Sequence, residues 1–154
     1  EGQTKAKLGN VSMRSLVERA TNDKLAEWLE ENPREAGQIV QKAVQASRAR
    51  LAARQARDLT NQGRYEDALD LLNQALDQSP KYAQAFNARG FVHLLMLNYT
   101  QAVADFSEAI RLKPDYANAF HNRAVALRKL SKTTDADADE KNASRFMAVV
   151  YPVQ

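Results

Sequence analysis

The stretch AQAFNARGFVHLLMLNYTQAVADFSEAIRLKPDY, residues 83–116, decides the fold, because its landmarks return at one distance on either side. Tyr65, Ala68, Ala75, Pro80, Tyr82, Ala85 and Phe86 recur 34 residues later as Tyr99, Ala102, Ala109, Pro114, Tyr116, Ala119 and Phe120. Ala136 and Ala143 carry two of these marks into a third turn. A period of this length implies stacked helix pairs, since one pair cannot cover its own apolar face and its neighbours must. The pattern predicts an all-α chain built to hold something, not a pocket built to transform it.

Composition agrees. The chain has 154 residues, 44% of them hydrophobic, enough for one continuous core. Five glycines and four prolines are few for a strand-and-turn fold. No run approaches the roughly 18 apolar residues that cross a bilayer, and the polar start Glu1–Asn10 does not read as a signal peptide. With no cysteine there are no disulfides or thiolate metal sites, which fits a cytoplasmic location, or a recombinant origin with no native one. A net charge of +3 is too small to argue for nucleic acid unaided.

Outward from the deciding stretch, helices are predicted at about 65–78, 82–97, 99–112, 116–130 and 133–147. Ser79-Pro80 and Lys113-Pro114 break two joints, because the residue before proline avoids helical angles. Upstream, Asn32-Pro33-Arg34-Glu35 places a capping side chain, a proline and an acid in the order that starts a helix. The alanine- and arginine-rich run that follows predicts one helix of roughly 30 residues ending at Gly63. Earlier still, Met13, Leu16, Val17 and Ala20 share a helical face, and the stripe resumes at Leu25, Trp28 and Leu29.

Gly90, Tyr99, Ala102, Ala109 and Pro114 together resemble the tetratricopeptide repeat (TPR), a helix pair with small residues where the helices touch and an aromatic plug. The resemblance implies three repeats, 49–82, 83–116 and 117–150, and a tail at 151–154. The outer repeats depart from the pattern, with Ala52 in place of an aromatic, Thr133 in place of another and Glu140 in place of a bulky apolar residue. Polar replacements suit the last helix of an array, which no neighbour covers. The apolar run Phe146–Tyr151 opposes that logic; it folds back on the last pair, forms a contact surface or is a cloning remnant.

Residues 1–60 resemble a different family. Gln3-Thr4-Lys5, then Glu30-Glu31-Asn32-Pro33, then Ala49-Arg50-Leu51-Ala52-Ala53-Arg54-Gln55-Ala56-Arg57 is similar to the end of the transducer domain of DNA gyrase B and its long outgoing helix. The resemblance implies that Gln3, Thr4 and Lys5 match a loop that reaches a bound ATP. The nucleotide-binding fold and the DNA-cleaving parts of that family have no counterpart in these 154 residues, so Lys5 is expected to meet no phosphate. The expected organisation is a gyrase-like helical hairpin, 1–48, continuing through a shared helix into the repeats. Such a join reads as an engineered chimera, with natural fusion as the alternative; an unbroken helix would fix orientation where a flexible linker would not.

No catalytic constellation, phosphate loop or cofactor motif emerges, and the chain is expected not to be an enzyme. His93 has no second ligand at i+4 and reads as structural, since metal sites need three or four converging ligands. Under the TPR resemblance, Asn87, Asn118, His121, Asn122 and Arg128 line a concave groove, with Phe91 and Leu94 as apolar contacts; the other reading is a concave face that is only solvated. The clamp by which some family members hold peptide carboxylates is not reproduced, because Ala53 and Ala88 stand at two of its positions. Arg50, Arg54 and Arg57, at i, i+4 and i+7, form a basic stripe read as a solvated face paired here and there with Asp58 or Glu66, with phosphate binding as the alternative. The run Asp135, Asp137, Asp139 and Glu140 lacks the spacing of a calcium loop and reads as an acidic helix start. The expected role is a structural scaffold, self-associating or binding a peptide or protein; nucleic acid and membrane are not expected partners.

Overall fold

Residues 23–28 and 30–150 are described by a computed structural model, with side chains to Met147. Residues 23–28 are helical. Six further helices follow: α1 (Pro33–Asn61), α2 (Tyr65–Gln78), α3 (Ala83–Leu95), α4 (Tyr99–Leu112), α5 (Ala117–Lys129) and α6 (Thr133–Val150). No strand occurs among the described residues. The chain divides by contacts into Glu1–Ala43 and Val44–Gln154, and α1 contributes residues to each.

Helix α1 runs 29 residues without a break, spanning Ser47–Asp58 as the composition predicts. Its start differs from expectation. The Asn32 side chain does not cap α1; its Nδ2 donates backwards to the Trp28 carbonyl at 2.8 Å. The Asn32 carbonyl accepts from the Ala36 amide at 2.9 Å, so the backbone alone opens α1. Only Ala49 and Ala56 of α1 are buried, two turns apart on one face. Ile39, Val40, Val44 and Leu51 remain exposed.

The second unit is an array of helix pairs. On α2 the buried Ala68, Leu72 and Ala75 fall at i, i+4 and i+7, and on α4 Ala102, Phe106 and Ala109 repeat the set one period on. Ala136 and Ala143 continue it on α6. Gly90 shows why small residues alternate with these. A Cβ built there would lie 2.8 Å from Phe106 Cε1 and 3.2 Å from the Ala102 carbonyl oxygen, so α3 and α4 approach as closely as a glycine allows.

Each helix pair closes through the same turn. Arg64 N donates to the Leu59 carbonyl and Gly63 N to that of Thr60, the paired bonds of a Schellman motif. Asn98 and Leu97 make the equivalent bonds to His93 and Leu94, and Lys132 and Ser131 make them to Leu127 and Arg128. The left-handed residue is Gly63 (φ 74°), then Leu97 (φ 63°), then Ser131 (φ 60°), spaced by one repeat.

The apolar C-terminal run continues α6 as helix to Val150. Phe146 packs on Phe120 with ring centroids 5.7 Å apart, while Met147 is exposed. Tyr151 lies outside the described residues.

Candidate functional site

The repeat register relates inner-face positions of the array to one another. Arg50, Gln84 and Asn118 share one register, as do Arg54, Ala88 and Asn122, and again Arg57, Phe91 and Val125. These positions lie on the first helix of each pair, α1, α3 and α5. Of these, Arg57, Gln84, Ala88 and Phe91 border an open cavity of about 340 Å³ between α1 and α3, whose walls also include Thr60, Asn61, Asn87 and Tyr116. Ala56, Leu72 and Ala88 give it an apolar floor. No carboxylate lines it.

Its polar groups are partly organised. Asn122 Nδ2 donates to Asn87 Oδ1 at 3.2 Å, linking α5 to α3 across the face. Burial pushes the Tyr116 phenol pKa up, and the Tyr82 phenol adds to the rise; Arg57 and a hydrogen bond with Asn87 oppose it. Lys113 Nζ sits 5.2 Å from the Tyr116 ring centroid, a cation–π contact that holds the ring from outside.

The structure sorts the residues expected to line the groove. Asn87 and Phe91 line the cavity, and Asn122 reaches Asn87. Asn118 is exposed. Leu94 is half-buried against Ala102, Phe106 and Ala126, in the core between pairs. His121 Nδ1 lies 2.9 Å from Glu140 Oε1, and Arg128 bonds to Glu140 at 3.4 Å and to Asp137 at 3.3 Å. The acidic start of α6 is therefore engaged by side chains of α5, and Glu140, where an apolar side chain was expected, meets the His121 ring and the Arg128 guanidinium. Gln3, Thr4 and Lys5 lie outside the described residues.

A second repeated arrangement was not foreseen. Arg89 donates through Nε and Nη2 to both oxygens of Asp105, at 2.9 and 2.7 Å, and through Nη1 to Asn73 Oδ1 at 2.9 Å. One period on, Arg123 donates to both oxygens of Asp139 at 2.7 Å and to Ser107 Oγ at 3.0 Å. Each arginine ties its own helix to the two helices beside it and lies over a phenylalanine, Phe86 or Phe120. The bond to Asp105 pushes the Arg89 pKa up, against the opposing cost of burial. The sequence signal was present, because Arg and Asp keep the 34-residue spacing at 89/123 and 105/139.

His93 stands where the neighbouring repeats place Leu59 and Leu127. Its Nδ1 is buried without a hydrogen-bond partner and its Nε2 is 3.9 Å from Asp105 Oδ2. Desolvation lowers its pKa, more than Asp105 raises it. No group of three or more metal-ligating side chains occurs among the described residues. None of the described helices is long and apolar enough to cross a membrane.

The helix pairs, close glycine crossing and inner-face cavity define an all-α solenoid of tetratricopeptide type. Residues 56–96 and 98–131 match the TPR repeat family, and residues 1–59 match DNA gyrase B. Over 60 residues, 39% of this chain, it is 58% identical to a novobiocin-resistant DNA gyrase B of Streptomyces niveus. It is 52% identical over 60 residues to the DNA gyrase B of Streptomyces coelicolor. The chain spans only 9% of the length of each of these relatives. Among solved structures, it superposes on the second TPR of Spaghetti (RPAP3), bound to an HSP90 peptide, with TM-score 0.66 and 22% identity, covering 68% of this chain and 96% of that one. The TPR2B domain of yeast Sti1, in a pHsp70 complex, gives 0.64 and 19% identity over 71% of this chain and 85% of that one. The Arabidopsis OM64 TPR domain gives 0.64 and 18% identity over 70% and 86%. At these identities the likeness is one of fold. Two different family matches thus share one chain, the pattern of a chimera, and they overlap inside α1.

Proposed function

We propose that this chain is a non-catalytic helical-repeat scaffold whose inner face holds a protein or peptide segment. The cavity of about 340 Å³ carries this reading, because an apolar floor with a polar rim is the form of a side-chain pocket. Structures of the same fold named for a bound HSP90 peptide and for a pHsp70 complex lend support. The test is capture of partners from an extract, with Asn87→Ala/Phe91→Ala as the control. Prey lost with that double change supports the reading; prey retained by it, or no prey at all, overturns it.

The overlap of both family matches within one helix favours a further reading of origin and use. In it, a gyrase-derived segment, residues 1–48, was joined by design to repeats 49–82, 83–116 and 117–150 through a shared helix. The product serves as a cytoplasmic or recombinant structural building block that self-associates. A genome encoding the whole reading frame would overturn the designed origin, and a light-scattering mass of one chain across micromolar concentrations would overturn self-association.

A further inference from the structure

The first repeat differs in charge from the two behind it. Gln84, Ala88 and Phe91 line the cavity on α3, and their counterparts on α1 are Arg50, Arg54 and Arg57. Arg57 itself lines the cavity. Arg50 and Arg54 therefore continue the inner face from the cavity rim, over about 10 Å of helix at 1.5 Å per residue. On α5 the same registers hold the uncharged Asn118, Asn122 and Val125. The stripe that reads as a solvated helix face thus shares the face of α1 from which Arg57 borders the cavity. All three side chains are exposed, and no carboxylate lines the cavity beside them.

We infer that the inner face binds an internal acidic segment, with a bulky apolar side chain seated in the cavity between α1 and α3 and carboxylates on the Arg50–Arg54–Arg57 stripe. Charge complementarity selects the acidic class, because clustered cations favour anionic partners and disfavour cationic ones. The cavity supplies the second requirement. Its apolar floor of Ala56, Leu72 and Ala88 and its aromatic walls, Phe91 and Tyr116, can desolvate one large side chain, while Asn61, Gln84 and Asn87 offer amides to the peptide backbone. Nothing in this arrangement requires a free chain terminus, since the arginines are spread along a helix instead of converging on one point.

The inference rests on the groove reading proposed above, and the experiment separates the two. Four fluorescein-labelled eight-residue peptides are titrated into the full chain and followed by anisotropy and by backbone amide shifts. The first has three glutamates followed by phenylalanine and leucine, with both ends blocked. The second and third replace the glutamates by glutamines or lysines. The fourth is the first with a free C-terminal carboxylate. The blocked glutamate peptide should bind at least about tenfold tighter than the glutamine peptide, because three exposed ion pairs each add a modest increment. Its binding should shift the Asn87 and Phe91 amides and weaken as salt rises. Arg54→Glu/Arg57→Glu, at exposed positions, should erase the preference with the melting curve unchanged. Equal binding of the glutamine or lysine peptide at this face overturns the inference and leaves the groove reading standing. Binding only of the free-carboxylate peptide also overturns it, in favour of terminus recognition. Binding of no peptide overturns the inference and counts against the groove reading as well.

Discussion

Gly90 and Gly37 are both helical glycines, yet their surroundings predict opposite outcomes. Alanine at 90 must push Phe106, whose ring carbons would lie 2.8 and 2.9 Å from the new Cβ, in a core with no slack. Gly90→Ala should therefore destabilise by about 1–3 kcal/mol in urea unfolding. Gly37→Ala meets no atom within 4 Å and should stabilise α1 by about 0.5–1 kcal/mol. His93 supplies a pH signature at the same scale. Its folded pKa is lowered, chiefly by desolvation, so the unfolded chain binds the proton more readily. Stability is then complete above the ordinary histidine pKa of about 6.5 and falls as pH drops below it. Groups facing the ring set how steep the fall is: Asp105 and Glu66 soften it, and Arg89 sharpens it. His93→Leu, the residue type of the two neighbouring repeats, should raise stability and flatten the dependence below that pH in melts at about pH 5 to 7.5.

At the scale of elements, the three Schellman turns make the repeat unequal to itself. Gly63 takes its positive φ freely, whereas Leu97 and Ser131 take theirs against Cβ strain. Leu97 is 68% exposed, so its side chain returns little burial for that strain. Leu97→Gly and Ser131→Gly should each stabilise the array by about 1 kcal/mol, and Gly63→Ala should cost a similar amount, read from urea midpoints at constant slope. Helix boundaries between Tyr65 and Thr133 were legible in the sequence to within about two residues, because proline, glycine and the period mark them, whereas the last helix runs on from the expected 147 to Val150. The ion-pair ladder was legible only as a spacing, 89/123 and 105/139, and not as a contact. Arg89 and Asp105 are ordinary surface types when read singly, and only folding brings α3 beside α4 and buries the carboxylate. Leu94 shows the converse limit, since an inner-face reading could not tell it would turn into the core between pairs. Arg57 was visible as one of a stripe, but its place in the cavity follows only once Phe91 is seen at the same register. Linkage through the ladder is testable by a double-mutant cycle. Arg89→Met and Asp105→Leu singly should each cost more than the pair changed together, with a coupling of about 1–3 kcal/mol.

Taken whole, the buried hydrophobic set among the described residues lies between Ala49 and Ala143, with Ala49 and Ala56 the only members on α1. All of this set falls within the unit Val44–Gln154. Repeat arrays draw their stability from each pair and its nearest neighbours, so the sequence before Ala49 should contribute little to the repeats' unfolding free energy. A chain cut to residues 44–154 is thus expected to unfold in one cooperative transition, with a midpoint within a few degrees of the full chain. Cutting further, to 55–154, removes Ala49 and the first turns of the inner helix. That loss strips α2 of part of its cover and should lower the midpoint by several degrees, since about 1 kcal/mol moves a domain of this size by roughly 4–8 °C. Circular dichroism melts of the three lengths decide it. A large drop already at the first cut would mean that the gyrase-like segment supports the repeats rather than merely preceding them.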